Sequence, residues 1–283
     1  MYANKDKRYS QSLSLRINSL ANAWHQGRER MIHETLDIQT EPLLTPEAVY
    51  GKHKKICDVC VVTFSYKVIE WALQHLECEQ AAEIKCCNGN HPIYLTEWKG
   101  KKVAFYMTLV SAPGAAACLE EAHCLTGCRD YVLFGSCGTL NSQLTDGKMI
   151  IPTWAYRDEG LSYHYIAASE YIEMKGWKKV AAFLEGKKVP NVTGRTWTTD
   201  AVYRETSGKA EKLREDGCIA VEMELAGMQA VCEYYGFALK AFLFASDCLG
   251  TEEWHNELLG SEREWDIQVK CFLLALDLAL LHD

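Results

Sequence analysis

From Lys55 onward, continuous apolar runs rich in β-branched residues alternate with segments of helical spacing, and few folds can bury both kinds at once. The strand-like runs are Cys57 to Thr63, Val103 to Val110, Tyr131 to Phe134, Met149 to Pro152 and Ala238 to Ala245. Helices are expected near Tyr66 to Leu76 and Ala115 to Thr126. Another follows the stripe Leu225, Met228, Val231, Cys232 and Tyr235, which Gly236 would end as a C-cap. Two late helices are expected to close the chain. A strand that is apolar along its whole length must be covered on both faces, so the alternation predicts an α/β fold with a largely parallel sheet between helices.

With 283 residues the chain fits one large α/β unit. Residues 1–50 are polar, carry helical spacing at Leu13, Ile17, Leu20 and Trp24, and are broken by Pro42 and Pro46. They read as an N-terminal helical extension, with residues 51–283 as the main domain. A net charge of -8 without a basic stripe disfavours nucleic acid or an anionic membrane as the main partner, and neither is expected. Apolar stretches such as Phe272 to Leu281, which Asp277 interrupts, are too short to span a bilayer, which takes about 20 residues. The N-terminus shows no apolar signal core, and the thirteen scattered cysteines suit a reducing compartment, so a cytoplasmic location is expected. Cys57 and Cys60 form a C-x-x-C, but on a strand they would point to opposite faces, so no metal site is expected there.

Chemistry concentrates late in the chain. Ala220-Val221-Glu222-Met223-Glu224-Leu225-Ala226 reads as an acid-Met-acid triplet opening an amphipathic helix, and Ser246-Asp247 ends an apolar run. Together they offer what a ribosyl-transferring pocket needs, carboxylates for sugar hydroxyls and one acid for a base nitrogen. The plain alternative makes Glu222 and Glu224 first-turn residues suited to a helix N-terminus, and Asp247 an N-cap. Two turns of small residues, Phe134-Gly135-Ser136-Cys137-Gly138-Thr139 and Ser111-Ala112-Pro113-Gly114-Ala115-Ala116, would let a ligand approach the backbone closely or would simply be tight βα connections.

Taken in order, Gly135-Ser136-Cys137-Gly138, Ile151-Pro152-Thr153, Arg157-Asp158-Glu159-Gly160, Thr196 to Tyr203, Val221-Glu222-Met223-Glu224 and Ser246-Asp247 make the chain resemble the purine nucleoside and uridine phosphorylase family from about Cys57 to the C-terminus. The resemblance implies a three-layer αβα fold around a mostly parallel or mixed twisted sheet. It also implies cleavage of an N-glycosidic bond through a ribosyl cation-like transition state. On the family's pattern Glu224 would hold the ribose 2'- and 3'-hydroxyls, Met223 would pack under the sugar, and Glu222 would support that loop. Asp247 would donate or share a proton with N7 of a departing purine, oriented by Ser246. Val221, Ser136 and Gly138 belong to the same substrate set. Val202 and Tyr203 would line the base pocket, with stacking from Tyr203, Trp197 or another ring, and Arg263 lies where purine enzymes place an arginine near the acid. The Gln and Arg that read uracil are missing from Arg204-Glu205-Thr206-Ser207-Gly208, which tilts the base toward purine.

The departures fall at the phosphate site. Where the family carries Gly-Asp-Pro and then Arg, this chain has Val62-Thr63-Phe64-Ser65-Tyr66-Lys67-Val68, and Leu133 stands in place of a second arginine. Two lost charge-assisted contacts are worth about 1.5 to 3 kcal/mol each. Ser136, Ser65, Lys67 and the N–H groups of the Ser111 to Ala116 turn would form a weaker anion site, helped by an arginine from a neighbouring subunit. Related hydrolases carry a water-activating acid in the first loop, and Thr63 to Tyr66 has none. The expectation is a nucleoside phosphorylase-like homo-oligomer that takes inorganic phosphate as co-substrate, needs no other cofactor, and yields free base and ribose 1-phosphate. A hydrolase of the same fold and a non-catalytic nucleoside-binding protein are the alternatives. His164 is expected to be a buried structural histidine.

Overall fold

The structure, a computed structural model, describes residues 32–250, 254–256 and 258–281. The chain divides into two compact units, Met1–Thr35 and Leu36–Asp283. Of the first, the described part is one 3-10 turn, Ile32–Thr35. The helical spacing of Leu13 to Trp24 lies outside the described residues.

The second unit runs α1 (Pro46–Tyr50), β1 (Val59–Thr63), α2 (Tyr66–His75), β2 (Cys78–Ile84), β3 (His91–Trp98), β4 (Lys101–Met107), α3 (Ala112–Thr126), β5 (Asp130–Thr139) and α4 (Ser142–Thr145). It continues with β6 (Met149–Asp158), β7 (Tyr171–Glu173), α5 (Trp177–Gly186), β8 (Asn191–Thr199), α6 (Ser207–Glu215), β9 (Cys218–Glu222), α7 (Leu225–Tyr235), β10 (Ala238–Leu249), β11 (Trp254–Asn256) and α8 (Glu262–Leu278). The sheet is mixed, in the order β11-β10-β6-β8-β9-β5-β1-β4-β3-β2, and β10 also pairs with β5, so five of its strands close into a ring. One apolar layer packs α3 and α7 on the sheet, and the opposite layer packs α2, α5 and α8. This is the three-layer αβα arrangement.

Local chemistry explains the element boundaries. Val59 to Thr63 is buried at every position, as a strand covered on both faces must be. α3 ends at Gly127 and α7 at Gly236, both left-handed (φ 71° and 67°), where glycine carries no Cβ penalty. β6 continues six residues past Pro152 because a register shift between Pro152 and Trp154 takes up the missing N–H. Of the two late helices, α7 precedes β10 and α8 follows it.

Three expectations are corrected. Cys57 and Cys60 share one apolar layer, because Cys57 sits ahead of β1, where strand alternation does not apply. His164 is exposed, on the 3-10 turn Leu161–His164. The acid-Met-acid triplet does not open a helix: Glu222 ends β9, Glu224 is the N-cap residue, and α7 begins at Leu225. The hairpin β2–β3 and the strands β8 and β9 were not anticipated. Among the described residues no helix is long and apolar enough to cross a membrane.

Asp277, far down α8, accepts from Trp98 Nε1 at 2.9 Å and pairs with Lys187 at 2.6 Å and with Lys99. Its own burial opposes ionisation, but these donors outweigh that and bring its carboxyl down to about 2. Asp277→Asn should cost about 1 to 2 kcal/mol at neutral pH, the half-exposed lysines limiting the gain. Because the folded value lies below the unfolded one, this stabilisation is complete above about pH 4 and fades toward pH 2. Urea midpoints of the two proteins should differ at pH 7 and converge near pH 2.

Candidate functional site

The site is organised around the C-terminal end of β5. Gly135-Ser136-Cys137-Gly138 lies within the strand, not in a turn beyond it, because β9 and β10 both pair with this segment. Gly138 is opposite Val221 on one side and Asp247 on the other. A Cβ on it would fall 2.5 Å from Leu249 Cδ1, 2.9 Å from Val221 Cγ1 and 3.5 Å from Asp247 Oδ2. Glycine is therefore what lets β9 and β10 bring their functional ends together. Two predicted segments far apart in sequence thus meet across one strand. The buried Cys137 thiol, pushed up first by desolvation, also feels the charges of Glu222 and Asp247.

Glu222 is buried and spends its carboxylate on the start of α7. Oε2 accepts from the Glu224 and Leu225 N–H groups, both at 2.7 Å, and Oε1 accepts from the Thr198 hydroxyl. Thr198 Oγ1 accepts in turn from Ala226 N at 3.1 Å. Three free N–H groups of the helix start are satisfied in this way. Burial, then the neighbouring Glu224 charge, raises Glu222 to about 8 against those donors.

Glu224, equally buried, accepts from the Ser111 N–H at 2.7 Å and from its neighbour Met223 N at 3.3 Å. Burial raises it to about 7. Ser111 holds φ 86°, ψ 148°, a conformation rarely adopted by a residue with a side chain, at the N-cap of α3. The Glu224 contact crosses from α7 to this strained turn, so the two small-residue and acidic motifs form one structure.

Asp247 follows a register shift between Ala245 and Asp247 in β10. Oδ1 accepts from Ser246 Oγ at 2.9 Å, and Oδ2 accepts from Trp254 Nε1 at 2.7 Å. Trp254 arrives through the β10–β11 hairpin, in which Leu249 pairs with Trp254.

Two cavities adjoin this strand end. One of about 380 Å³ is lined by Ser65, Lys67 and Ser136, the three predicted anion residues, together with Phe64, Glu264 and Trp265. The Phe64 ring packs against Gly135, 3.0 Å from where a Cβ would sit. The other, of about 590 Å³, holds Ser246, Asp247 and Arg263 along with Thr145, Lys148 and Phe244. Val221, Glu222, Met223 and Glu224 line neither of these two cavities. Val202 and Tyr203 lie on the 3-10 turn Val202–Arg204 and are 44% and 96% exposed, so in this chain alone they do not wall a pocket. Trp197 is fully buried and donates to Asp158, which removes it as a stacking ring.

Sequence reasoning did not single out Trp254, Glu205 or Glu264. Glu205 is half-buried directly after the Val202–Arg204 turn, and burial, then the charge of Asp247, raises it to about 7. Its place two residues beyond Tyr203, in the segment assigned to the base, was the available signal.

Curated proteins resemble this chain in sequence. The chain is 23% identical over 202 residues to a DeoD-type purine nucleoside phosphorylase of Alkaliphilus metalliredigens, an alignment covering 68% of this chain and 84% of that protein. It is 26% identical over 181 residues to the protein of the same description from Caldanaerobacter subterraneus, covering 60% and 76%. Among solved structures, a futalosine hydrolase mutant of Helicobacter pylori superposes with a TM-score of 0.62 at 14% identity, covering 78% of this chain and 99% of that one. That likeness shows the fold. The family model described as the phosphorylase superfamily matches residues 58–276, which contain the whole strand-end site, and the chain belongs to that superfamily.

Proposed function

We propose that this protein cleaves the N-glycosidic bond of a purine nucleoside, with phosphate as the acceptor, to give free base and ribose 1-phosphate. The observation that carries the reading is the meeting of the β9 and β10 ends across Gly138, which sets Met223 and Glu224 on one side and Asp247 on the other. Glu224 is the sugar-binding carboxylate: its oxygens already accept hydrogen bonds, and its charge would gain value as positive charge develops on the ribosyl ring. Asp247, oriented by Ser246, faces the leaving base, and Arg263 lines the same cavity. Phosphate enters the cavity of Ser65, Lys67 and Ser136. The protein works in the cytoplasm as a homo-oligomer, since an arginine from a neighbouring copy would offset the missing anion contacts.

A second reading, hydrolysis, is favoured by two observations, one of them in that acceptor cavity. Leu133, where the family carries an arginine, is buried, and Glu264 adds a carboxylate to a cavity whose cation is Lys67. Product analysis on inosine and adenosine decides. Ribose 1-phosphate formed only with phosphate present is the expected result, free ribose formed without it establishes the hydrolase, and tight binding without base release at any phosphate concentration refutes both.

A further inference from the structure

The acid end of the site already carries a ring N–H donor of its own. Trp254 Nε1 donates to Asp247 Oδ2 at 2.7 Å, while Ser246 Oγ, on a residue that is itself buried, holds Oδ1 at 2.9 Å. Oδ2 is the oxygen turned toward Gly138, across which β9 and β10 meet: it lies 3.5 Å from where a Gly138 Cβ would sit. Leu249, whose Cδ1 crowds the same point at 2.5 Å, is the cross-strand partner of Trp254. Cross-strand partners, and residues two apart on one strand, project from the same face of a sheet, so Asp247, Leu249 and the indole share the face that meets Gly138. Trp254 is 57% exposed, and all three residues of β11 lie open to solvent. The chain after the hairpin is anchored separately, since Leu258 N and Leu259 N both donate to Ser246 O, at 3.0 and 3.2 Å. The indole can therefore leave Asp247 by turning about its own side-chain bonds.

We propose that Trp254 is an internal competitor of the base: in the free protein its indole stands on Asp247 Oδ2, and a purine binds only as that N–H leaves. The proposal rests on the glycosidic-cleavage reading and deepens it by naming a residue that sets base affinity. An indole is a six-membered ring fused to a five-membered ring that carries an N–H, which is the outline of a purine. After cleavage the released base, with a proton on N7, offers Asp247 the same contact. A nucleoside still presents N7 as a lone pair, and it cannot replace the lost hydrogen bond until the proton moves. The free base is thus the species that Trp254 resembles, and the indole, on returning to Oδ2, replaces it donor for donor. A two-state equilibrium of this kind keeps its minor form, here the one with Oδ2 uncovered, at about 0.1 to 10% of molecules. Apparent affinity for the base falls in proportion to that fraction.

Calorimetric titration of the full chain with hypoxanthine tests the competition without relying on turnover. Trp254→Phe keeps an aromatic ring and removes the donor, and Trp254→Ala removes both. Because the side chain is largely exposed, circular dichroism and thermal midpoint should match the wild type in each variant. Both should bind hypoxanthine about 10-fold or more tighter than the wild type does, since neither can cover Oδ2. In the wild type, the indole N–H resonance that Trp254→Phe deletes should move toward the position of a water-exposed indole as hypoxanthine is added. Unchanged or weaker affinity in either variant overturns the proposal and makes the indole a wall of the base pocket, and a resonance that stays in place at saturating base overturns it too. With base still released from inosine by the wild type, those results leave the cleavage reading standing. If neither the wild type nor the variants bind hypoxanthine or release base from inosine, the cleavage reading itself fails and the competitor role fails with it.

Discussion

If the proposed reaction holds, Asp247→Ala should lower turnover of inosine and adenosine by about 100- to 10,000-fold, the range spanned by general acid–base catalysis, and should leave the sugar side of the site in place. The separation follows from the contacts. Asp247 is held by Ser246 and Trp254 on β10 and β11, whereas Glu224 is held by Ser111 and Met223 at the junction of α3 and α7. The expected signature is a large loss in kcat with little change in KM, and a much smaller loss on an N7-methylated nucleoside. A wild-type rate on inosine would remove Asp247 from the chemistry. The substitution opens little buried space, since Asp247 is only partly buried, so circular dichroism and thermal midpoint should stay close to the wild type.

The largest effect on stability is expected at Glu222. Glu222→Ala strips the acceptor from Glu224 N, Leu225 N and the Thr198 hydroxyl in one step, and all three lie out of reach of bulk water. At about 1 to 3 kcal/mol for each buried group left without a partner, the loss should be roughly 3 to 5 kcal/mol after relaxation. Glu222→Gln keeps an oxygen for the two N–H groups and should recover most of it. The pH dependence supplies a second readout. Glu222 and Glu224 are raised to about 8 and about 7, so the folded protein binds these protons more tightly than the unfolded chain does. Their effect on stability is therefore most favourable below about pH 4.5 and is lost as pH climbs toward 8. Thermal midpoints measured from pH 5 to pH 8 should fall in the wild type and fall less steeply in Glu222→Gln. An equal slope in both proteins would mean that Glu222 ionises in the folded state as it does in the unfolded one.

The parts of the fold visible in the sequence are those whose burial is uniform. β1, β4 and the body of β5 and β10 are apolar along nearly their whole length because helices cover both of their faces, and α7 carries its stripe and its glycine cap openly. The strands that escaped notice have other surroundings. β2, Cys78–Ile84, is an edge strand with polar residues facing solvent, so its composition carries little strand signal. β9 is five residues long and ends in a carboxylate, and its acidic end reads as a helix start until the paired strands beside it are known. At the site, the grouping of Ser65, Lys67 and Ser136 on one cavity and of Ser246, Asp247 and Arg263 on another follows the motif order. The donors that complete the acids do not. Trp254 reaches Asp247 only through a hairpin, and Ser111 reaches Glu224 only because α3 packs on α7.

By itself the amino-acid sequence determined the layered α/β architecture and the superfamily's ordered acidic and small-residue motifs, because each of these is written in local periodicity or in short runs of neighbouring residues. Only the tertiary structure decided which backbone donors each carboxylate serves. Glu222 and Glu224 are two residues apart and chemically identical, yet one is consumed in starting a helix and the other turns toward a strained backbone amide across the domain. The physical reason is that a carboxylate's role is set by the donors and the burial around it, and those are supplied by strands and helices distant in the chain.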